Sequence, residues 1–382
     1  MEDQAIAEML RFVQIIPDPR RHNVSHPLTS IILIAILAVM CGEDDWTDVQ
    51  DWADFNLDWL KTFLDLPHGI PSHDTFDRVF SLIDPTAFEK GFMEWTARLN
   101  DEAGSGLVAI DGKTIRHSFE KGFNKTPIHM VSAYAVGNKL VLGQLKTEKK
   151  ENEISVIPKL LAILNLKNKT VTIDAMGCQK AIAQQIVDQK GDYLLMIKNN
   201  HPTFFHQIEM TFKEARLEKF EDWNYDYFES VDKGHGRIDT RRVWVISDID
   251  GMSEAANWPG LQHIVIVESI REGGKKTTQG LRFYLSSHKT INAAFAAHAI
   301  RSHWGIENGL HRTLDVTMFE DQCRVRKNHG AENATRIRRI VLNKLQRTKV
   351  QRKDGKIVTR SVKSKRRMCE RDRKFLFSAL LS

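Results

Sequence analysis

The sequence predicts an α+β or α/β protein in which helices flank a mixed β-sheet, and three observations support this fold class. Residues 1–100 contain helix-like clusters of apolar residues. Residues 101–200 show three strand-like segments followed by helix, strand, helix and strand. Residues 201–288 are rich in strand-like segments separated by glycine-containing turns. Three strands that can pair antiparallel, followed by alternating helices and strands, indicate a mixed sheet with helices on its faces.

The first hundred residues predict an N-terminal helical domain. Apolar residues recur at helical spacing in 31–40, 46–60 and 76–99. The longest apolar run, 28–41, is too short to span a bilayer and predicts a buried helix, so we expect no membrane association. The acidic start argues against a signal peptide. Four cysteines without CxxC spacing fit a reducing compartment, and we therefore expect a cytoplasmic protein.

Residues 101–200 predict the first part of a central α/β domain. After a linker at 101–106, strands are predicted at 107–111, 128–136 and 139–147, and Gly137-Asn138 is a typical hairpin turn between the last two. A helix at 152–164, a strand at 170–174, a helix at 179–189 and a strand at 193–197 complete this part.

The sequence of residues 201–382 predicts three further parts of the protein. Residues 201–288 begin with a helix and continue as a strand-rich block, which predicts an inserted β subdomain. Residues 289–345 return to the central domain with a helix at 291–316, for which Thr290 is a candidate cap. Residues 346–382 predict a basic C-terminal tail.

Charge is distributed unevenly along the chain. Residues 322–382 carry 20 Lys or Arg against 4 Asp or Glu, a net charge of +16, although the whole chain carries only +6. Residues 1–100 carry 7 basic and 17 acidic residues. A basic C-terminal segment on an otherwise acidic chain indicates a polyanionic partner, most simply nucleic acid, unless the segment is only a solvated tail.

Two predicted strands end in Ile-Asp. The segment LVAIDGKT places Asp111 at the end of the first strand, and TVTIDAMG places Asp174 at the end of another. Two carboxylates at one edge of a sheet repel each other unless a cation lies between them, which is the reason to predict a metal site. Taken singly, each Asp also fits the start of an ordinary turn.

A third carboxylate lies on the predicted helix 291–316. Steps of three and four residues place Glu307 on one face together with Ile300, His303, Trp304, His311 and Leu314. Burial without a partner would raise the pKa of Glu307, whereas a cation would keep it ionised. Gly305 and Gly309 each cost about 0.5–1 kcal/mol relative to Ala, so they predict close approach of this helix to a sheet or to a ligand backbone. The histidines also fit plain packing with local hydrogen bonds.

Two Asp and one Glu form an oxygen-rich ligand set that suits Mg²⁺ or Mn²⁺. Two such ions can activate a water or a 3′-hydroxyl and stabilise the leaving oxygen during displacement at phosphorus. Together with the basic segment, this ligand set indicates phosphodiester chemistry on nucleic acid. Glu320 and Asp321 are rival candidates for the third ligand.

The motifs IDGKTIRHS, TIDAMGCQK and RSHWGIENGLHRTLDVTMFEDQCRVR resemble those of bacterial H-repeat-associated proteins. These are insertion-sequence DDE transposases with a ribonuclease H-like core. The resemblance covers nearly the whole chain, including GIPSHDTFDRVF near the N-terminus and GHGRIDTRR in the strand-rich block. It implies Asp111, Asp174 and Glu307 as the DDE triad, with Mg²⁺ or Mn²⁺ as the cofactor. It also implies DNA as the partner, with a homo-oligomer on DNA left open.

The sequence departs from related transposases on the Glu helix. A Tyr–Arg–Glu–Lys pattern is absent, because Ile300, His303 and Leu314 occupy the corresponding positions, and the expected LHW reads Leu310-His311-Arg312. Other side chains must then contact phosphate. The candidates are Lys113, Arg116, His235, Arg237, Arg301, His303, His311 and Arg312.

Three functions follow from this pattern. The first is a transposase that cuts and joins DNA at the ends of an insertion sequence. The second is a metal-dependent DNA nuclease without strand transfer, and the third is a catalytically silent DNA-binding remnant of a mobile element.

Overall fold

The computed structural model describes residues 2–21, 24–101, 106–119, 126–148, 151–234, 236–273 and 276–382. Among the predicted site residues, only His235 lies outside this part of the chain.

The first five strands form the predicted mixed sheet. They are β1 (Leu107–Thr114), β2 (His129–Ala135), β3 (Leu140–Lys146), β4 (Thr170–Ile173) and β5 (Asp192–Ile197). Strands β1, β2 and β3 pair antiparallel, whereas β4 pairs parallel with both β1 and β5. The predicted order and orientation of these strands are confirmed.

The strand-rich block does not form a separate sheet. Its strands are β6 (Tyr225–Gly234), β7 (Arg237–Ile246), β8 (His263–Gly273) and β9 (Lys276–Ser286). Strand β9 pairs antiparallel with β5, which gives one nine-stranded sheet in the order β3-β2-β1-β4-β5-β9-β8-β7-β6. The apolar strand β5 would otherwise expose an unpaired edge, and pairing with β9 removes it.

Helices cover both faces of this sheet. On one face lie α7 (Glu153–Ala162), α8 (Lys180–Asp188) and α9 (Pro202–Leu217), and on the other lies α10 (Ala293–Gly305). Phe212 of α9 packs 5.1 Å from the Trp244 ring. Asn292, rather than the predicted Thr290, caps α10 by accepting a hydrogen bond from the Phe295 amide. Each face of the sheet thus buries its own apolar cluster beneath the helices that cover it.

The N-terminal and C-terminal helices pack together. The N-terminal group comprises α1 (Glu2–Gln14), α2 (Leu28–Cys41), α3 (Trp46–Phe55), α4 (Leu57–Leu60), α5 (His73–Leu82) and α6 (Pro85–Asp101). Helix α2 is almost wholly buried, as predicted. Helix α12 (Gly330–Arg347) packs against α2, α5, α6 and β3. Within the described residues, no helix combines the length and apolar character needed to cross a membrane.

Residues 346–382 do not form the predicted tail over most of their length, because they fold into a hairpin and two helices. A short hairpin, β10 (Val350–Gln351) and β11 (Ile357–Val358), is followed by α13 (Val362–Arg371) and α14 (Arg373–Leu381). Phe377 is buried 5.5 Å from the Trp59 ring, and Leu376 and Leu380 are buried with it. The many charged residues of this segment obscured the apolar stripe in the sequence. Six of the 20 cations in 322–382 are buried: Arg336, Arg338, Arg339, Lys344, Lys365 and Arg366.

Candidate active site

The register of the parallel strands brings Asp111 and Asp174 together. Strands β1 and β4 stay paired up to Ile110 and Ile173, so the two Asp residues follow side by side. Contrary to the predicted end at 111, β1 continues to Thr114 by pairing with β2. Asp111 therefore lies inside β1, where its backbone pairs with β2 on one side and is no longer paired with β4 on the other.

Asp111 occupies a partly buried and electrostatically unfavourable position. Its side chain is 20% exposed, and its Oδ1 accepts a hydrogen bond from the Gly112 amide at 2.9 Å. Burial, followed by the negative charges of Glu153, Asp174 and Glu307, raises the pKa of Asp111 to about 7 although the Gly112 hydrogen bond lowers it. The negative charges of Asp174 and Glu307 thus lie close enough to act on Asp111.

Asp174 forms the turn that was one of the two roles the sequence allowed. Its Oδ1 accepts hydrogen bonds from the amides of Met176 at 3.1 Å and Gly177 at 3.4 Å, which form a turn. Because both bonds use Oδ1, the turn fixes the side chain without involving Oδ2. The interpretation of Asp174 as a turn residue is therefore correct, and Asp174 still lies beside Asp111.

The helix that carries Glu307 is not a regular α-helix. Between α10 and α11 (Arg312–Val316), residues Ile306–His311 form a π-helical turn. Such turns are rare and often occur at functional sites. The extra residue in the turn rotates the side chains, so Glu307 is exposed and the prediction of an apolar surrounding for it is wrong.

The two glycines around Glu307 allow the helix to approach the sheet closely, as predicted. A Cβ atom at Gly305 would lie 3.1 Å from Val136 Cγ1, and one at Gly309 would lie 3.3 Å from the Tyr134 hydroxyl. Larger residues would push the π-helical turn away from β2.

His303 and His311 hold this helix against the strands. His303 Nδ1 lies 2.9 Å from Thr172 Oγ1 in β4, and burial lowers its pKa. His311 Nδ1 lies 3.6 Å from Asp111 Oδ2. Burial, with the nearby cations Arg339 and Lys113, lowers the pKa of His311 to about 3. Both imidazoles contact the sheet, as the packing interpretation expects, and their DNA contacts stay a prediction.

Lys113 is buried, which contradicts its predicted phosphate contact. Its Nζ lies 2.7 Å from Asp315, 3.2 Å from Glu320 and 3.1 Å from Asp321. Burial alone would raise the pKa of Glu320, but Arg339 and Lys113 hold it at about 2. We call these residues, with Arg339, the Lys113 cluster. Glu320 and Asp321 are engaged by its cations and are no longer rivals of Glu307.

The remaining basic candidates differ in how free they are. Arg116 is 81% exposed and lies 3.4 Å from Asp321. Arg237 pairs with Asp239 at 3.2 Å, and Arg301 pairs with Asp232. Arg312 is exposed on α11. All four remain accessible to a polyanion, although pairing with Asp reduces the net charge that Arg237 and Arg301 offer.

Glu153 and His129 are site residues that the sequence did not reveal. His129 Nε2 lies 2.6 Å from Glu153 Oε1 at the start of α7. A Cβ atom at Gly112 would overlap both side chains, so only glycine permits this contact. Asn152 caps α7 immediately before Glu153, and nothing in the sequence linked the start of this helix to Asp111.

No group of three His, Cys, Asp or Glu side chains in the described residues is close enough to hold a metal ion. The three carboxylates are neighbours, and their side chains have not converged on one point.

A pH-dependent stability follows from the position of Asp111. Its pKa is about 7 in the folded protein and ordinarily 3.8, so from about pH 4 to pH 7 the folded state holds a proton that the unfolded chain has lost. The free energy of unfolding should therefore fall as pH rises through this window. In EDTA, Asp111→Asn should become more stable than the unsubstituted protein by up to about 4 kcal/mol above pH 7.

Thermal melts across this pH range measure the difference. The exposed residue Asp250 offers a matched control, because Asp250→Asn should show no pH-dependent advantage. Parallel curves for Asp111→Asn and the unsubstituted protein would show that Asp111 is not destabilised by its surroundings.

Comparison with known proteins identifies the family. A profile described as "Transposase DDE domain" matches residues 102–344, and one described as "DDE_Tnp_1-associated" matches residues 10–96. The "Putative transposase YncI" of Escherichia coli O157:H7 is 41% identical over 95% of this chain and 92% of its own. The "H repeat-associated putative transposase YhhI" of Escherichia coli (strain K12) is 37% identical over 98% of each chain.

A solved piggyBac transposase synaptic complex with hairpin DNA gives a TM-score of 0.42 at 11% identity, covering 96% of this chain and 77% of that one. This likeness is too weak to establish a shared fold. The sequence matches suffice, and they confirm the resemblance found in the motifs. The chain belongs to the family of transposases that carry a DDE domain.

Proposed function

We propose that this protein cuts DNA at the ends of an insertion element and joins those ends to a target, with Asp111, Asp174 and Glu307 as ligands of two Mg²⁺ or Mn²⁺ ions. The register that ends at Ile110 and Ile173 carries the proposal, because it sets two carboxylates side by side. The raised pKa of Asp111 supports it, since the cause includes the charges of Asp174 and Glu307. Folded chains rarely retain such repulsion without a function for it.

The donor set fits these ions. Carboxylate oxygens are the ligands that Mg²⁺ and Mn²⁺ prefer, and waters and substrate phosphate complete the coordination. The hydrogen bonds of Asp111 to Gly112 and of Asp174 to its turn both use Oδ1. The Glu307 side chain is exposed, so packing does not fix its conformation.

Each protein group then has a separate task. Bound metal would activate the attacking water or 3′-hydroxyl and stabilise the leaving oxygen. Strand β1 fixes Asp111, and the turn after β4 fixes Asp174. His303 ties the Glu307 helix to Thr172 of β4, so the third carboxylate keeps its position relative to the second. His311 stays neutral beside Asp111 and does not compete with a cation for its charge.

The proposal also covers the type of fold and the division of the chain into domains. Three antiparallel strands followed by two parallel ones support a ribonuclease H-like core. We propose that residues 1–100 form a helical module and that the core comprises 101–200 and 289–345. The strand-rich residues 201–288 are inserted between these two parts. A homo-oligomer on DNA is compatible with this proposal.

A strand-joining assay tests the function. The substrate is a DNA that carries the inverted repeats flanking the gene and ends in a free 3′-hydroxyl. With Mg²⁺, the purified chain should convert it to joined products. Cleavage without joined products would favour the nuclease, and DNA binding without either product would favour the silent remnant.

A further inference from the structure

A groove of about 510 Å³ lies between the π-helical turn that carries Glu307 and the C-terminal residues 359–365. Gly305 and Gly309, two residues to either side of Glu307, form one wall together with Tyr134 and Val136 of the sheet side. The groove therefore lies on the glycine side of the helical turn that carries Glu307. We call it the C-terminal groove.

Cations line the C-terminal groove without any acidic neighbour. Lys139, Arg360 and Lys363 lie on its walls with exposed side chains, and its lining contains no Asp or Glu. In the part of the chain that the structure describes, none of these three side chains makes a salt bridge. Hydroxyl groups of Thr313, Thr317, Thr359 and Ser361 stand among them.

A second groove, between β7–β9 and α10, differs in charge. Three of its four arginines are paired: Asp232 pairs with Arg241 and Arg301, and Asp239 pairs with Arg271. The fourth, Arg282, lies 5.9 Å from the centre of the Trp304 ring. An anion entering that groove would compete with carboxylates at three of its four arginines, whereas the C-terminal groove requires no such exchange at Lys139, Arg360 and Lys363.

The C-terminal groove also lacks a surface for stacking bases. Tyr134 is its aromatic residue, and only 2% of it is exposed. Recognition of splayed bases needs accessible aromatic faces, whereas backbone recognition needs cations and hydroxyl donors. The lining therefore matches phosphate and sugar and does not match base edges.

We propose that the C-terminal groove binds the sugar-phosphate backbone of a segment of the DNA substrate, independently of sequence. This inference rests on the proposed function and adds the surface that holds the substrate. It assigns part of the charge of residues 322–382 to a specific place, and it supplies phosphate contacts that the missing Arg and Lys of the Glu helix would otherwise provide.

The salt dependence of DNA binding tests this proposal. Lys139→Gln, Arg360→Gln and Lys363→Gln are combined in one groove variant. Fluorescence anisotropy in EDTA, with two labelled duplexes of unrelated sequence, gives the affinity over a range of salt concentrations. Each lost phosphate contact reduces the slope of log affinity against log salt by about 0.9. The slope should therefore become shallower by about 2–3 units, equally for both duplexes.

A matched control carries Arg11→Gln, Lys167→Gln and Lys190→Gln, which remove the same number of exposed Lys and Arg charges elsewhere. Lys190 is a close match for Lys139, because both have a left-handed backbone conformation with φ of 60° and 56°. The control should keep the original slope. The charge-conserving pair Arg360→Lys and Lys363→Arg should keep it as well, and melting curves should show that all variants are folded.

An unchanged slope in the groove variant would overturn the proposal, as would an equal loss in the control. A loss confined to one duplex would overturn the sequence-independent contact. Because these measurements contain no divalent metal, they are separate from catalysis. If the groove variant binds normally while the original protein still cleaves and joins DNA, the groove assignment fails and the proposed function stands.

Discussion

Replacing Asp111 with Asn, Asp174 with Asn or Glu307 with Gln should each lower DNA cleavage by at least about 10²–10³-fold and leave the fold intact. The register of β1 and β4 brings two of these carboxylates together, and the electrostatic influence of Glu307 on Asp111 brings in the third. Each substitution removes the charge of one proposed metal ligand while keeping the size of the side chain. Cleavage rates with Mg²⁺, together with circular dichroism, measure the effect.

Controls for this experiment must avoid the Lys113 cluster. Glu320 is fully buried beside Arg339, so Glu320→Gln would disturb folding whatever its part in catalysis. Asp250→Asn and Glu209→Gln are better matched, because both carboxylates are exposed and lie away from the site. They should retain most of the activity. Normal cleavage by all three triad variants would contradict the metal site itself.

Replacing Lys113 with Met should destabilise the protein by about 3–5 kcal/mol, the usual effect of removing one partner from a buried ion pair. Lys113 is 7% exposed and neutralises Asp315, Glu320 and Asp321. Without its charge, the buried Glu320 retains Arg339 as its main cation. Urea unfolding measures the loss, with Lys167→Met as the exposed control.

The Lys113 cluster also connects two parts of the site. Lys113 follows Asp111 by two residues, and Asp315 follows Glu307 by eight. The cluster thus links the strand of the first carboxylate to the helix of the third. A Lys113→Met protein with wild-type unfolding would show that these ion pairs contribute little to stability.

The sequence was sufficient for the parts of the fold that local pattern controls. The strands around Ile110 and Ile173 alternate or cluster apolar residues in the usual way, and the buried helix α2 is an unbroken apolar run. The two Ile-Asp pairs were visible because each apolar run meets a charged residue there, although β1 itself continues to Thr114. Their side-by-side placement then follows from parallel pairing, which the order of helices and strands indicated.

The sequence was insufficient where distant residues decide the environment. Lys113 looked like a surface cation beside Asp111, and only the return of the chain some 200 residues later surrounds it with carboxylates. Glu153 lies near Asp111 because α7 packs on β2, the neighbour of β1, and no local pattern records that contact. The π-helical turn exposes Glu307, whereas regular helical spacing placed it on an apolar face.

The basic C-terminal segment shows the same limit. The net charge of this segment follows directly from the sequence, but charge alone does not distinguish a solvated tail from helices with buried arginines. Arg366 lies 2.8 Å from Asp44, and Arg336 lies 2.7 Å from Glu89, so these cations join the C-terminal helices to the N-terminal ones. Truncation after Leu345 would remove α13 and α14 from this packing. Surface substitutions in the C-terminal groove therefore test DNA affinity more cleanly than truncation.

Direct metal binding tests the central claim most closely. Titration of the intact protein with Mn²⁺, followed by electron paramagnetic resonance, counts bound ions without relying on catalysis. The unsubstituted protein, with DNA present, should bind two ions at the site, and Asp111→Asn, Asp174→Asn and Glu307→Gln should each weaken that binding while Asp250→Asn does not. Mn²⁺ should also raise the melting temperature of the unsubstituted protein more than that of the triad variants. Equal Mn²⁺ binding by the unsubstituted protein and all three triad variants would contradict the assignment of these carboxylates as metal ligands.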